Sequence, residues 1–317
     1  MKFKTISYEN EEIANEYKDQ KYYKLIILII ASHGEGQTHY DLFKKCWEEY
    51  MNRFPEVKCF FLYSDENIET DIFVNANSIT HKSNESLVPG ILYKTTAGKY
   101  FCHKKFKYDF LLRTNLSSFI HVPNLLKYLE TKERSQLLIT NLEILGLISN
   151  DNMTAYDEIL TTIKAENENN MIPDYTIENW KKYTKSLSKY YNIENIEQNK
   201  FFKFLSGSFY MLTPDLIKEY LNKIISDDDF INSEIINIPD DVAITAILQK
   251  NSKQTTSNFR CYNTVNISKI CYNLETEYND ELVHIRNRTD MYWGNRIIDK
   301  QNMLNQVKKF YNPNFEV

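Results

Sequence analysis

Apolar runs separated by polar turns dominate the first part of the chain. Lys24 to Ala31 (KLIILIIA) is rich in Ile, and its length and β-branching predict a strand buried on both faces, as in a parallel sheet. Residues 38–54 then place apolar side chains at helical spacing, and residues 57–63 form a second apolar run. The order strand, helix, strand predicts a βαβ unit at the start of a mixed or parallel sheet.

Comparable patterns continue along the chain. Further strands are predicted at 108–113, 204–212, within 260–273 and at 282–285, and further helices at 123–129, 215–225, 240–249 and 299–311. We interpret residues 1–20 as a polar N-terminal extension and residues 21–317 as one domain with a variable helical or loop insertion at 130–200. The predicted fold class is therefore α/β, with a mixed, mainly parallel central sheet flanked by helices.

The composition narrows the classes of function. The 317 residues carry 38 Lys and Arg against 43 Asp and Glu, a net charge of −5, which argues against wrapping of nucleic acid. Five widely spaced cysteines without a CxxC pair argue against a disulfide scaffold or a zinc ribbon. We see no secretory signal and no apolar run of bilayer length, so we expect a cytoplasmic protein without a membrane span.

The turn after the first strand carries two glycines. Gly34 and Gly36 precede a helix, which is the context of a dinucleotide-binding turn, but His39 occupies the place of a small residue. An enzyme that uses NAD or S-adenosylmethionine is therefore one alternative. His33, His39 and Cys46 match no compact zinc motif, and Cys46 falls on the apolar face of the helix, which indicates packing.

Two carboxylates, Asp240 and Asp241, open a predicted apolar helix. Carboxylates at a helix N-terminus are stabilised by free backbone N–H groups, so capping is one explanation. If one of the two caps the helix, the other can face a pocket and take a proton from a hydroxyl nucleophile. Asp227 to Asp229 form a second acidic run, which we interpret as a solvated loop that could hold a divalent cation.

A cationic segment lies near the end of the chain. If residues 284–288 are extended, His284, Arg286 and Arg288 share one face. Such a face suits a diphosphate, because guanidinium groups bind phosphate oxygens in a bidentate manner. A solvated edge strand is the alternative.

Several segments occur in the order found in one enzyme family. They are residues 25–50 with Trp47; Glu85-Ser86 with Leu92, Lys94 and Thr95; 108–129 (YDFLLRTNLSSFIHVPNLLKYL); 204–216 (FLSGSFYMLTPDL); and 239–244 (PDDVAI). In these segments the chain resembles the GT-A glycosyltransferases of the β-1,3-galactosyltransferase kind, family 31, including divergent soluble forms encoded by large DNA viruses. A virus-encoded chain would act in the host cytosol.

The resemblance implies a GT-A-type fold, a nucleotide-sugar donor, most simply a uridine diphosphate sugar, and a glycan or other hydroxyl acceptor. It places the catalytic base on Asp241, with Asp240 beside it, and inversion at the anomeric carbon. The residues implied for donor binding are Ser32, Lys94, Arg113, Asn115, Ser117, His284, Arg286 and Arg288. Those implied for acceptor binding are Gly207, Ser208 and Trp180.

One departure from the family concerns the metal. The family's acidic triplet falls on Asn115-Leu116-Ser117, and neutral oxygens supply no charge for Mn²⁺ or Mg²⁺. Three outcomes stay open. Arg113, Arg286 and Arg288 replace the metal; or a metal binds weakly through Asn115, Ser117, His284 and the donor; or the chain is a non-catalytic carbohydrate-binding or partner-binding protein on the same fold.

Overall fold

The computed structural model describes residues 3–32, 38–86, 88–140, 143–148, 200–205, 207–226, 238–248, 253–256, 260–263, 282–287 and 296–317. The strands are β1 Ile6–Tyr8, β2 Lys21–Ile30, β3 Val57–Ser64, β4 Ile72–Val74, β5 Ser78–His81, β6 Phe106–Asn115, β7 Ser118–Ile120, β8 Leu137–Thr140, β9 Glu143–Ile148, β10 Lys200–Leu205, β11 Phe209–Leu212, β12 Lys253–Thr256, β13 Arg260–Asn263 and β14 Leu282–Arg286. The helices are α1 Glu11–Glu16, α2 Thr38–Tyr50, α3 Gly90–Lys105, α4 Val122–Leu129, α5 Pro214–Ser226, α6 Asp240–Leu248 and α7 Ile297–Phe310.

The central sheet has nine strands among the described residues, in the order β1-β4-β5-β3-β2-β6-β11-β8-β12. Five of its eight neighbouring pairs are parallel, including β3-β2 and β2-β6 at the centre. This arrangement confirms the predicted α/β class with a mainly parallel sheet. A second sheet pairs β9 with β10, and a third has the order β13-β14-β7.

Strand β2 is buried on both faces, as its continuous apolar run predicts. Leu25, Ile27 and Ile29 pack into one core cluster with α2, α4 and α7, while Ile26 and Leu28 pack into the other with α1, α3, α5 and α6. The sheet therefore lies between two layers of helices. Among the described helices, none is long and apolar enough to cross a bilayer.

The predicted N-terminal extension contributes to the core cluster that contains α3, α5 and α6. Strand β1 pairs in parallel with β4, and Asn10 caps α1 by accepting a hydrogen bond from the Ile13 N–H at 2.9 Å. Phe3, Ile13 and Tyr17 are buried in the same cluster as α3. The segment thus forms one edge of the sheet, although its sequence is mostly polar.

Helix α3 has no counterpart among the helices predicted from the sequence pattern. Ten of its residues are buried, among them Lys94 and Lys99, so the helix lacks the exposed polar face that marks a surface helix. Strand β8, within the predicted insertion, pairs with β11 and β12 in the central sheet. Residues 151–199 lie outside the described residues.

Candidate active site

The candidate site lies where β2 and β6 end at the carboxyl edge of the sheet, with Ile30 opposite Asn115. The turn that follows β6 is held by three elements. The Leu116 N–H donates to Ile30 O at 3.2 Å, the buried Trp47 donates through Nε1 to Leu116 O at 2.8 Å, and the Asn287 N–H donates to Ser117 O at 3.0 Å. The turn has a fixed position at an edge where ligands of open α/β sheets bind.

An ion pair between Arg113 and Asp240 forms the centre of the site. Arg113 Nε lies 3.0 Å from Asp240 Oδ2, and Nη2 lies 2.8 Å from Oδ1, so the contact is bidentate. Both side chains are almost fully buried, at 3% and 5% exposed. The pair joins β6 to the first residue of α6, which is 127 residues further along the chain.

Hydrogen bonds connect this ion pair to Asp241. Arg113 Nη1 donates to Asn115 Oδ1 at 3.2 Å, Asn115 Nδ2 donates to Gly207 O at 2.9 Å, and the Gly207 N–H donates to Asp241 Oδ2 at 2.9 Å. Gly207 has no room for a side chain, because a Cβ atom there would lie 2.6 Å from Asp241 Oδ2. The second oxygen, Oδ1, accepts from the Val242 N–H at 2.9 Å.

The Asp241 carboxylate is therefore oriented by two backbone N–H groups, that of Gly207 just before β11 and that of Val242 in the first turn of α6. It is half-buried, whereas Asp240 is buried. Burial and the neighbouring charge of Asp240 raise the pKa of Asp241 to about 6. A carboxylate with such a pKa can accept a proton and is ionised at neutral pH, which is what a general base requires.

Two buried lysines of α3, Lys94 and Lys99, contact residues next to the site. Lys94 is buried, donates to Ala31 O at 2.7 Å and pairs with Glu85, and burial lowers its pKa. Lys99 is also buried and donates to Tyr210 Oη at 3.0 Å; burial lowers its pKa to about 7. Ser32, directly after Ala31, is half-buried at the end of β2.

Strand β14 pairs with β7, the short strand that comes directly after the turn following β6. Arg286 pairs with Ser118 in register, and His284 pairs with Ile120. His284 is fully buried, with its ring 5.1 Å from the ring of Phe209. Burial and then the charge of Arg286 lower the pKa of His284 to about 3, so its imidazole is neutral at physiological pH.

The structure brings Arg113, Asn115, Gly207, Asp240 and Asp241 into one hydrogen-bonded cluster. Ser117 and Ser208 are buried beside it, and Ser208 O accepts from Thr114 Oγ1 at 2.8 Å.

Four of the predicted site residues have partners or a charge state that the sequence did not indicate. Arg113 pairs with Asp240, and Lys94 pairs with Glu85. The imidazole of His284 is neutral. The roles predicted for these residues stay predictions.

The remaining predictions fall elsewhere. Trp180, Arg288, the turn with Gly34 and Gly36, and the acidic run at 227–229 lie outside the described residues. Cys46 is buried in the core cluster of α2, α4 and α7, in agreement with a packing role.

Tyr210 and Lys99 were not among the predicted site residues. Tyr210 is part of the Ser-Gly-x-x-Tyr segment that carries the family resemblance, which is the one signal the sequence offers for it.

The described residues do not fit a divalent cation at Asn115 and Ser117. In the part of the chain that the structure describes, no group of three His, Cys, Asp or Glu side chains could hold a metal ion. Asn115 Oδ1 already accepts a hydrogen bond from the Arg113 guanidinium. The two predicted positions offer only neutral oxygens, which supply no charge for Mn²⁺ or Mg²⁺.

Comparison with known proteins gives a family match in the second half of the chain. Residues 137–253 match the family model described as Galactosyltransferase. The matched range includes Gly207, Asp240 and Asp241. No curated protein matches the chain in sequence.

Two solved structures show a distant likeness. The galactosyltransferase LgtC, in complex with donor and acceptor sugar analogues, is 9% identical with a TM-score of 0.43, over 88% of this chain and 95% of that chain. An active-site mutant of LgtC is 8% identical with a TM-score of 0.40, over 90% of this chain and 95% of that chain. The family match, which is independent of these structures, confirms the resemblance that the ordered segments indicated and the prediction of a glycosyltransferase.

Proposed function

We propose that this chain transfers a sugar from a uridine diphosphate sugar to a hydroxyl group of a glycan or other acceptor, with inversion and with Asp241 as the general base. The observation that carries the proposal is the half-buried Asp241 carboxylate, oriented by the Gly207 and Val242 N–H groups at the carboxyl edge of the sheet. The galactosyltransferase match includes this carboxylate.

In the proposed reaction, Asp241 takes the proton of the acceptor hydroxyl as its oxygen attacks the anomeric carbon. The new C–O bond forms on the face opposite the diphosphate, and the bond between the anomeric carbon and the diphosphate oxygen breaks. The diphosphate leaves with the bonding electron pair, and Asp241 later releases its proton to water. Attack from the opposite face inverts the configuration.

The leaving diphosphate needs positive charge near it. Arg113 and Lys94 are already paired with carboxylates, and the donor set around Asn115 does not fit a metal ion. From the predicted cationic face of the chain we assign this role to Arg286, which β14 places opposite Ser118, together with Arg288. The proposed reaction does not depend on a divalent cation.

The first experiment measures binding and turnover separately. Isothermal titration calorimetry with UDP, with and without Mn²⁺, tests the nucleotide site, and release of UDP from a panel of UDP-sugars tests turnover. We expect binding without added metal, and turnover that Asp241→Asn abolishes while nucleotide binding remains.

Asp215→Asn is a matched control. Asp215 lies in the first turn of α5, is exposed and accepts a backbone hydrogen bond from the Gln136 N–H at 2.6 Å, so it has the same chemistry away from the site. This variant keeps full turnover. Absence of binding to any nucleoside diphosphate would refute the proposal, and binding without turnover in the wild type would favour a non-catalytic binding protein.

A further inference from the structure

Lys99 is a buried lysine to which the proposed reaction assigns no role. Its ammonium group lies 3.0 Å from Tyr210 Oη, 5.4 Å from the centre of the Tyr210 ring and 5.2 Å from that of Tyr220. The charged groups that influence it are Asp240 of α6 and Arg113 of β6. Burying a cation costs free energy that an apolar side chain of the same size would not cost.

Tyr210 connects Lys99 to the ion pair. It lies opposite Arg113 in the antiparallel pair of β11 and β6, and the Arg113 guanidinium carbon lies 5.8 Å from the centre of its ring. Its hydroxyl accepts from Lys99 and donates to Asp240 Oδ2 at 3.3 Å. Asp240 is therefore held by Arg113 on one side and by Tyr210 on the other.

These contacts form one continuous path from the core to the proposed base. The path leads from Lys99 through Tyr210 to Asp240, and then through Arg113, Asn115 and Gly207 to Asp241. Four separate strands and helices contribute to it: α3, β11, α6 and β6. Each member has its hydrogen-bonding partner in the next one, which is the arrangement that holds a side chain in a single orientation.

We propose that Lys99 and Tyr210 are positioning residues of the transfer reaction, which hold Asp240 in its two-bond contact with Arg113 and thereby fix the place of Asp241. The inference rests on the proposed function, because it assigns a role through Asp241. Both side chains are fully buried, so in this proposal they act through Asp240 and not by contact with the substrates. Their effect should fall on kcat, since a misplaced base slows proton removal, and not on the KM for the donor.

The test compares two tyrosines that lie on either side of Lys99. Tyr210→Phe removes the hydroxyl that bridges Lys99 and Asp240. Tyr220→Phe is the matched control, because Tyr220 is equally buried and its hydroxyl lies 2.8 Å from Thr96 Oγ1 and outside the path. Both variants lose one buried hydroxyl, so a general loss of stability affects them alike. Lys99→Met is the third variant, since it removes the ammonium group at similar volume.

We expect Tyr210→Phe to lower kcat by about tenfold to a hundredfold with the donor KM unchanged, and Tyr220→Phe to leave kcat within about twofold of the wild type. Lys99→Met should lower kcat in the same way, and if it does not fold, Tyr210→Phe decides alone. Equal kcat for the two tyrosine variants, or a loss confined to KM, would overturn the inference and leave the proposed function intact. A wild-type protein without turnover on any nucleotide sugar would overturn both.

Discussion

Replacement of Gly207 by alanine tests the close contact between Gly207 and the Asp241 carboxylate. The new Cβ atom would lie 2.6 Å from Asp241 Oδ2, about 0.8 Å inside the 3.4 Å at which ordinary contact begins. It would also lie 3.1 Å from Arg113 Nη1, so the side chain meets the base on one side and the guanidinium on the other. The side chains of Asp241 and Arg113 cannot easily rotate away from the new methyl group, because hydrogen bonds hold both of them.

The expected result is a displaced Asp241 carboxylate. A shift of about 1 Å in a reacting group costs on the order of a hundredfold in rate, so we expect kcat to fall by about that factor. Overpacking at a tight position costs about 1–3 kcal/mol, which should lower the free energy of unfolding by that amount. The assays are UDP release for kcat and urea unfolding for stability.

Gly98→Ala provides the control. A Cβ atom at Gly98 would lie 2.8 Å from Leu62 Cδ2 and 3.2 Å from Leu28 Cδ1, so the crowding is comparable but falls on the core between α3 and the sheet. Both variants should lose stability, and Gly207→Ala alone should lose turnover. If the two variants kept the same kcat, Asp241 would not be the base that the Gly207 N–H orients.

Three further predictions concern the charges of the site. Because the base must be ionised and the pKa of Asp241 is raised to about 6, kcat/KM should be level above that pH and fall about tenfold per unit below it; a limb near pH 4 in a pH–rate profile would contradict this. Arg113→Met should lower the free energy of unfolding by about 3–5 kcal/mol at pH 7, since it leaves Asp240 buried without a partner, and a loss below about 1 kcal/mol by urea titration would count against the pair. EDTA should leave UDP release largely unchanged, whereas full loss restored by Mn²⁺ would refute the assignment of the diphosphate to Arg286 and Arg288.

The central strands could be predicted because their signal is local. The run from Leu25 to Ile29 is apolar on both faces, and the structure buries every one of these side chains. Helix α3 gives no such signal, since Lys94 and Lys99 interrupt its apolar positions and are themselves buried. Charged residues in a sequence suggest an exposed face, and only the fold shows that their partners are inside.

For the site, the sequence offers the order of the segments, which by resemblance places the base on Asp241. That assignment stays a prediction, and the structure adds the two N–H groups that hold this carboxylate. The ion pair of Arg113 with Asp240 joins residues 127 positions apart, and no spacing along the chain relates them. Pairing of this kind depends on how β6 and α6 pack together, so the sequence alone does not reveal it.

The buried Arg113 also has a consequence for how the molecule assembles. Strand β6 lies at the centre of the sheet, and the carboxylate that pairs with its Arg113 belongs to α6, far along the chain. In an intermediate with the sheet formed and α6 not yet packed, the Arg113 guanidinium would be buried without the Asp240 carboxylate, which costs several kcal/mol. We therefore expect the sheet and α6 to fold as one cooperative unit. A fragment that ends before residue 240 should not reach a stable native state.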